Sequence, residues 1–225
     1  MNGVIGDLLP LAVGIAISPV PIIAVILMLL APRAGGASVG YLIGWVAGIV
    51  VATTVIALVV GAAAEPGEAS GPSTATAVVI LLLGIGCLAL AFRQWRARPK
   101  PGEHAALPGW MAKIDEVTPV KAVGLGFLLS AVNPKNLAMS AAAGAVVAGG
   151  GLSLGQNVVA VAVFTLVAAS TVLVPVVGYL LARKRMAPAL SSLREWLEQN
   201  NAVVMAVLLL VIGTVLIGKG IGALG

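Results

Sequence analysis

The stretch Ala131-Val132-Asn133-Pro134-Lys135-Asn136-Leu137 sets a cation, two amides and a proline inside an apolar run that begins near Val120 and continues to Ala148. About 20 apolar residues at a 1.5 Å rise cross the hydrocarbon of a bilayer, so the run is long enough to span it. Lys135 falls close to its middle. A lysine at that depth costs about 2.5–3.5 kcal/mol on insertion scales and is expected to face protein or water rather than lipid. Pro134 lacks a backbone N–H and disfavours the helical conformation in the residue before it. Together these residues predict a broken helix, with Asn133 as N-cap, Pro134 at the first helical position and a half-helix running onward from Lys135. The free N–H groups and positive dipole end of that half-helix, with an ammonium beside them, form a candidate anion site. The competing reading is an idle lysine that snorkels from a proline-kinked helix, although a mid-span lysine has no short route to either interface.

Composition settles the class around this stretch. The 225 residues are 60% hydrophobic and 9% charged, with a mean hydropathy of +1.11. A soluble domain carries about 25% charged residues, so the expectation is an all-α integral membrane protein. Six candidate transmembrane helices follow from the apolar runs, at about Leu8–Leu30, Val39–Ala62, Ala75–Phe92, Val120–Ala148, Gln156–Ala182 and Ala202–Gly222. Nothing is left for a soluble domain, so residues 1–225 read as one membrane domain. The first span has no basic residue before it and only Asp7, which does not fit a cleaved signal peptide.

Basic residues orient the spans. Arg33 lies in loop 1–2, Arg93, Arg96, Arg98, Lys100, Lys113 and Lys121 around loop 3–4, and Arg183, Lys184, Arg185 and Arg194 in loop 5–6. Loop 2–3 carries only Glu65 and Glu68, loop 4–5 carries no charge, and Lys219 stands alone at the far end. By the positive-inside rule, loops 1–2, 3–4 and 5–6 are cytoplasmic and both termini are outside. The net charge of +5 is therefore topology and attraction to membrane lipids, not a nucleic-acid footprint.

The first span repeats the pattern of the fourth. Two prolines in Ser18-Pro19-Val20-Pro21 cannot continue one undisturbed helix, and Ser18 can cap a new half-helix with Pro19 in its first position. Gly14-x-x-x-Ser18 and Gly126-x-x-x-Ser130 each precede a proline-bearing break within four residues. Three spans separate the breaks, so the halves enter from opposite sides. This predicts a 3+3 inverted repeat with broken helices 1 and 4, the first repeat over about 1–93, a cytoplasmic loop at 94–119 and the second repeat over about 120–225. Broken helices of such repeats meet near the midplane and build the substrate site. The candidate substrate-binding residues are accordingly Ser130, Asn133, Pro134, Lys135 and Asn136 from span 4, with Ser18, Pro19 and Pro21 from span 1. Thr165, Ser170 and Thr171 of span 5 line a polar path or simply pack.

Other features read as scaffold. Gly40-x-x-x-Gly44-x-x-x-Gly48 permits close helix packing, within the bundle or across a homodimer, and Thr53 and Thr54 beyond it can satisfy neighbouring groups. Residues 110–117 and 188–198 are amphipathic, with Met111 and Ile114 in one apolar face and Leu190, Leu193, Trp196 and Leu197 in the other. Both are expected to lie on the inner membrane surface. A single cysteine, Cys87, excludes an internal disulfide, and the lone His104 has no ligand cluster around it, so no metal or other cofactor is expected. No paired carboxylates or nucleophile–base constellation sits in the membrane, so no catalytic residue is assigned and an enzyme is not expected.

An Asn133-Pro134-Lys135 in the fourth of six spans, with Pro19-Val20-Pro21 in the first, resembles the lysine exporter superfamily of small six-span membrane proteins. The run Ser18-Pro-Val-Pro-Ile-Ile-Ala-Val-Ile-Leu-Met-Leu-Leu30 and the run Ala131-Val-Asn-Pro-Lys-Asn-Leu137 are most similar to its actinobacterial peptidoglycolipid- or sulfolipid-addressing branch. The resemblance implies a bacterial inner (plasma) membrane protein that exports or places a cell-envelope glycolipid, beside a larger lipid exporter as partner. The amino-acid exporter branch typically has Pro-Gly-Pro where this chain has Pro19-Val20-Pro21.

Three functions stay open. The first is a transporter or flippase for an anionic lipid or glycolipid, its headgroup held at the midplane by Lys135 and the half-helix N-termini. The second is an exporter of a small polar solute such as an amino acid. The third is a non-transporting accessory of a larger lipid exporter. On the first, Lys135→Met is predicted to abolish movement while sparing the fold.

Overall fold

A computed structural model of the chain describes residues 1–31, 34–63, 74–98, 111, 114, 116–222 and 224. Among these, every regular element is helical: α1 (Asn2–Ala16), α2 (Pro19–Leu30), α3 (Ala34–Ala63), α4 (Thr74–Arg96), α5 (Pro119–Phe127), a π-helical turn (Leu128–Val132), α6 (Pro134–Gly149) and α7 (Leu154–Gly222). Two of them, α3 over Gly35–Ala62 and α7, are long and apolar enough to cross a membrane. The pair α1 and α2 also qualifies, as one span bent by 56°. Both expected breaks are present. Ser18 takes an extended conformation (φ −120°, ψ 96°) ahead of Pro19, and Asn133 leaves the helical region (ψ 121°) ahead of Pro134. The second break comes after a π turn, a local widening that lets a helix change course without ending its hydrogen bonding.

The exposed surface is what an apolar solvent would select. Leu58, Leu82, Leu166, Val174 and Leu181 are each more than 60% exposed, spread over α3, α4 and α7. A water-soluble monomer rarely exposes so many large apolar side chains, whereas lipid-facing helices require it.

α7 differs from the expected pair of spans. At 1.5 Å per residue its 69 residues reach roughly 100 Å, far more than one crossing needs. Non-helical angles at Ala182 (φ −144°, ψ 51°) divide it into arms 154–181 and 183–222. The amphipathic segment 188–198 is helical as its period predicts, but it runs on into the last apolar stretch instead of forming a separate surface helix. Its apolar face also splits. Leu190 and Leu197 are buried in the core, while Leu193 and Trp196 point outward. In the segment 110–117, Met111 and Ile114 are buried in the core rather than laid on a membrane surface. Trp110, Lys113 and Asp115 lie outside the described residues, as do Arg33, Lys100, His104 and all of loop 2–3 from 64 to 73.

Small residues set the packing. A Cβ on Gly40, Gly44 or Gly48 of α3 would run into the backbone of Pro119 and Val123 or the hydroxyl of Ser130, and one on Gly126 would meet Tyr41 and Trp45. The glycine stripe is therefore covered by α5 and the π turn of the same chain, and a homodimer would need another face. Farther along, Gly144 of α6 abuts Thr53 and Ala57, so α3 runs parallel to α5 and α6. α4 runs antiparallel to the second arm of α7, with Leu81 against Gly220 and Leu88 against Gly213. α1 opposes that arm too: Gly14 touches Ile212, and Asp7 pairs with Lys219 at 3.0 Å, so Lys219 is not solitary. α2 is the most enclosed element, with Ile23 through Ile26, Met28 and Leu29 fully buried.

The Gly44 contact is expected to tolerate no side chain. Gly44→Ala should cost about 1–3 kcal/mol through overpacking, read as a lowered melting temperature in detergent. Gly61→Ala on the same helix, where a Cβ meets nothing, is the control and should leave the melting temperature unchanged or slightly higher.

Candidate functional site

The end of α1 defines the site. In a continuous helix the carbonyls of Ile15 and Ile17 would accept from residues 19 and 21, but both are prolines and have no N–H. The break thus leaves four successive carbonyls without helical partners, those of the buried Gly14, Ile15 and Ala16 and that of the more exposed Ile17. Each has found a donor. Lys135 Nζ donates to Gly14 O (2.7 Å) and Ile17 O (3.1 Å), Ser18 Oγ lies 2.8 Å from Ile15 O, and Thr171 Oγ1 donates to Ala16 O (2.7 Å). The Ser18 N–H also reaches Ala16 O, at 2.9 Å.

Lys135 is 8% exposed, and its third proton goes to Ser18 Oγ at 2.6 Å. All three ammonium donors are therefore committed to neutral oxygens. Among the described residues the ion pairs are Arg194–Glu198 and Lys219–Asp7, so no carboxylate balances the charge of Lys135. Its position reverses one expectation. The ammonium does not sit beside the positive N-terminus of its own half-helix; it crosses to the negative C-terminus of α1, where a cation is stabilised by about 0.3–2 kcal/mol.

The two half-helix N-termini offer less than their dipoles suggest. In α2, Pro19 and Pro21 leave Val20 the only N–H among the first three residues. In α6, Pro134 has none and the Lys135 N–H donates to Asn133 Oδ1 at 3.1 Å, which leaves Asn136. Asn133 is thus the side-chain cap foreseen from sequence. Ser18 holds the equivalent place before α2 but makes no capping bond, because its hydroxyl turns back to α1 and Lys135.

Asn136, fully buried, does for the second break what Lys135 does for the first. Its Nδ2 donates to Leu129 O in the π turn (2.9 Å), and its Oδ1 lies 3.2 Å from Ser18 Oγ. Ser18, Lys135 and Asn136 therefore form one cluster joining both breaks. Ser130 stays apart: its hydroxyl bonds Phe127 O and rests against Gly48. Pro134 is exposed, and Pro21 O accepts from Tyr41 Oη at 3.2 Å. The three hydroxyls foreseen on the first arm of α7 separate as well. Thr171 caps Ala16, Ser170 bonds Val167 O within its own helix, and Thr165 Oγ1 is buried with no partner among the described residues.

Sequence reading did not single out Ser140. It is fully buried on α6, one turn beyond Asn136, and its hydroxyl has no partner among the described residues. Its spacing of four from Asn136 was the available signal. Thr53 is likewise buried and unpartnered, where its position suggested that it would satisfy a neighbour.

The caps make a stability ranking. Lys135→Met strands two carbonyls and should destabilise the fold, correcting the expectation that it spares it. At about 1–3 kcal/mol per unpartnered group, its melting temperature should fall further than that of Thr171→Val, since Ala16 O keeps its bond from Ser18 N–H. Equal melting points for both variants would contradict this arrangement of caps.

No curated protein and no solved structure matches the chain. The family model described as Sap, sulfolipid-1-addressing protein, matches residues 8–222, which takes in both breaks, the Lys135 cluster and every helix that packs on them. The chain belongs to the Sap, sulfolipid-1-addressing protein, family.

Proposed function

We propose that this protein is a membrane transporter that translocates an anionic cell-envelope lipid or glycolipid, with the headgroup passing Lys135. One observation carries the reading: a buried ammonium held by neutral oxygens, with no carboxylate to balance it among the described residues. Buried charges are ordinarily paired, and an uncompensated one is costly. An anionic headgroup would supply the missing charge. It would take Lys135 from the carbonyls of α1, with the N–H groups of Val20 and Asn136 as further donors. The family description, which names a sulfolipid, fits such a headgroup.

The reading places the chain in a bacterial inner membrane as six spans with both termini outside and an inverted repeat. Several contacts are those expected of that topology. Spans 2 and 4 would cross in the same direction, and α3 is parallel to α5 and α6. Spans 3 and 6 would oppose one another, as α4 and the second arm of α7 do, and Asp7 and Lys219 would share the outer side. Both repeat serines, Ser18 and Ser130, bond the carbonyl three residues back. In this reading the chain moves its substrate and catalyses no reaction.

Native mass spectrometry with lipid identification on the purified protein tests it. Wild type and Thr171→Val should retain an anionic lipid that Lys135→Met loses. Retention by Lys135→Met would overturn the headgroup assignment. Efflux of a small solute from proteoliposomes with no lipid difference would favour the solute exporter, and the absence of both signals would favour the accessory role.

A further inference from the structure

The seam between α3 and α6 leads away from the Lys135 cluster toward the ends of both helices, Ala63 and Gly149. Asn136, Ser140 and Gly144 follow one another at spacings of four, so they share one face of α6. Gly144 has no side chain, and its α-carbon faces the Thr53 carbonyl so closely that a Cβ there would come within 2.8 Å of it. Ser140 lies one turn before Gly144 on α6, and Thr53 is the α3 residue whose carbonyl Gly144 meets, so both belong to this stretch of the seam. Both side chains are fully buried, and neither hydroxyl has a hydrogen-bond partner among the described residues. Two orphaned hydroxyls are costly to a closed, apolar seam and gain partners when the seam opens.

We infer that Ser140 and Thr53 line the outer arm of the Lys135 site, a path through which the polar headgroup passes between the midplane and the outer surface as α6 parts from α3. This deepens the proposed function and rests on it. Neutral hydroxyls suit such a path. They exchange hydrogen bonds with headgroup oxygens or water, yet they hold an anion weakly enough for it to leave, as a conduction path requires. Lys135 supplies the one strong contact, at the inner end.

Thiol labelling tests the path without any substrate. Ser140→Cys and Thr53→Cys are made separately in a Cys87→Ala background and exposed, in proteoliposomes, to a membrane-impermeant charged methanethiosulfonate. Ile26→Cys, inside the enclosed helix α2, is the buried control. Both seam thiols should react about tenfold faster than the control, because each becomes water-accessible whenever the seam opens by local motion. Reaction no faster than Ile26→Cys at both positions would overturn the inference.

A second measurement separates the path from mere packing. The shape-conserving double variant Thr53→Val/Ser140→Ala should melt higher than wild type, since it removes two orphaned groups. It should also move a fluorescent phosphatidylglycerol across proteoliposomes about tenfold more slowly, while retaining the anionic lipid in native mass spectrometry. A higher melting temperature with wild-type movement would reduce the hydroxyls to packing and sink the inference. Lipid loss in Lys135→Met bears only on the headgroup assignment, so the two ideas fail separately.

Discussion

A helix that stops in an apolar interior leaves carbonyls that only the protein can satisfy, and the rest of this fold depends on how α1 meets that demand. Four successive carbonyls, Gly14 to Ile17, are served by Lys135, Ser18 and Thr171. Those donors come from α6, from the break itself and from α7, so one local problem ties three distant parts of the chain together. At about 1–3 kcal/mol for each group left unpartnered, the set is comparable to the whole stability of many domains. The lysine is costly to bury, but here it offsets a second cost, that of the broken helix.

Close packing makes this arrangement reachable. Glycines at 40, 44, 48, 126 and 144 let α3 lie against α5 and α6 with backbones touching. In lipid, where no hydrophobic force draws helices together, such close contact supplies much of the association energy. It also fixes the position of the π turn, and hence of Leu129 O, the acceptor for Asn136. Small residues in α3, α5 and α6 thus determine where the polar cluster at the two breaks can form.

Much of this was legible in the residues. Pro19, Pro21 and Pro134 announced the breaks because proline's missing N–H has a local effect that needs no tertiary knowledge, and Asn133 was recognisable as a cap for the same reason. The partner of Lys135 was not legible. A lysine's reach is several ångströms, and its acceptors lie 118 and 121 residues away, so its own helix suggested the wrong pole of a helix dipole. Ser18 failed as a cap in the same way, because a tertiary partner outcompeted the local one. The segment 188–198 had the right period, but period does not tell whether a helix ends at its last apolar residue. Ser140 resembled any small residue in an apolar helix until its surroundings were known.

Lys135 and Asn136 are neighbours in sequence, yet each closes a different wound in the fold, one at the end of α1 and the other inside the π turn. Both sit in the first turn of α6 and share Ser18 as a partner. A shift of that turn by a single ångström or two would stretch both sets of bonds together. The two breaks are therefore not independent hinges. They are fastened by one rivet, so a strain placed on either break is felt at the other.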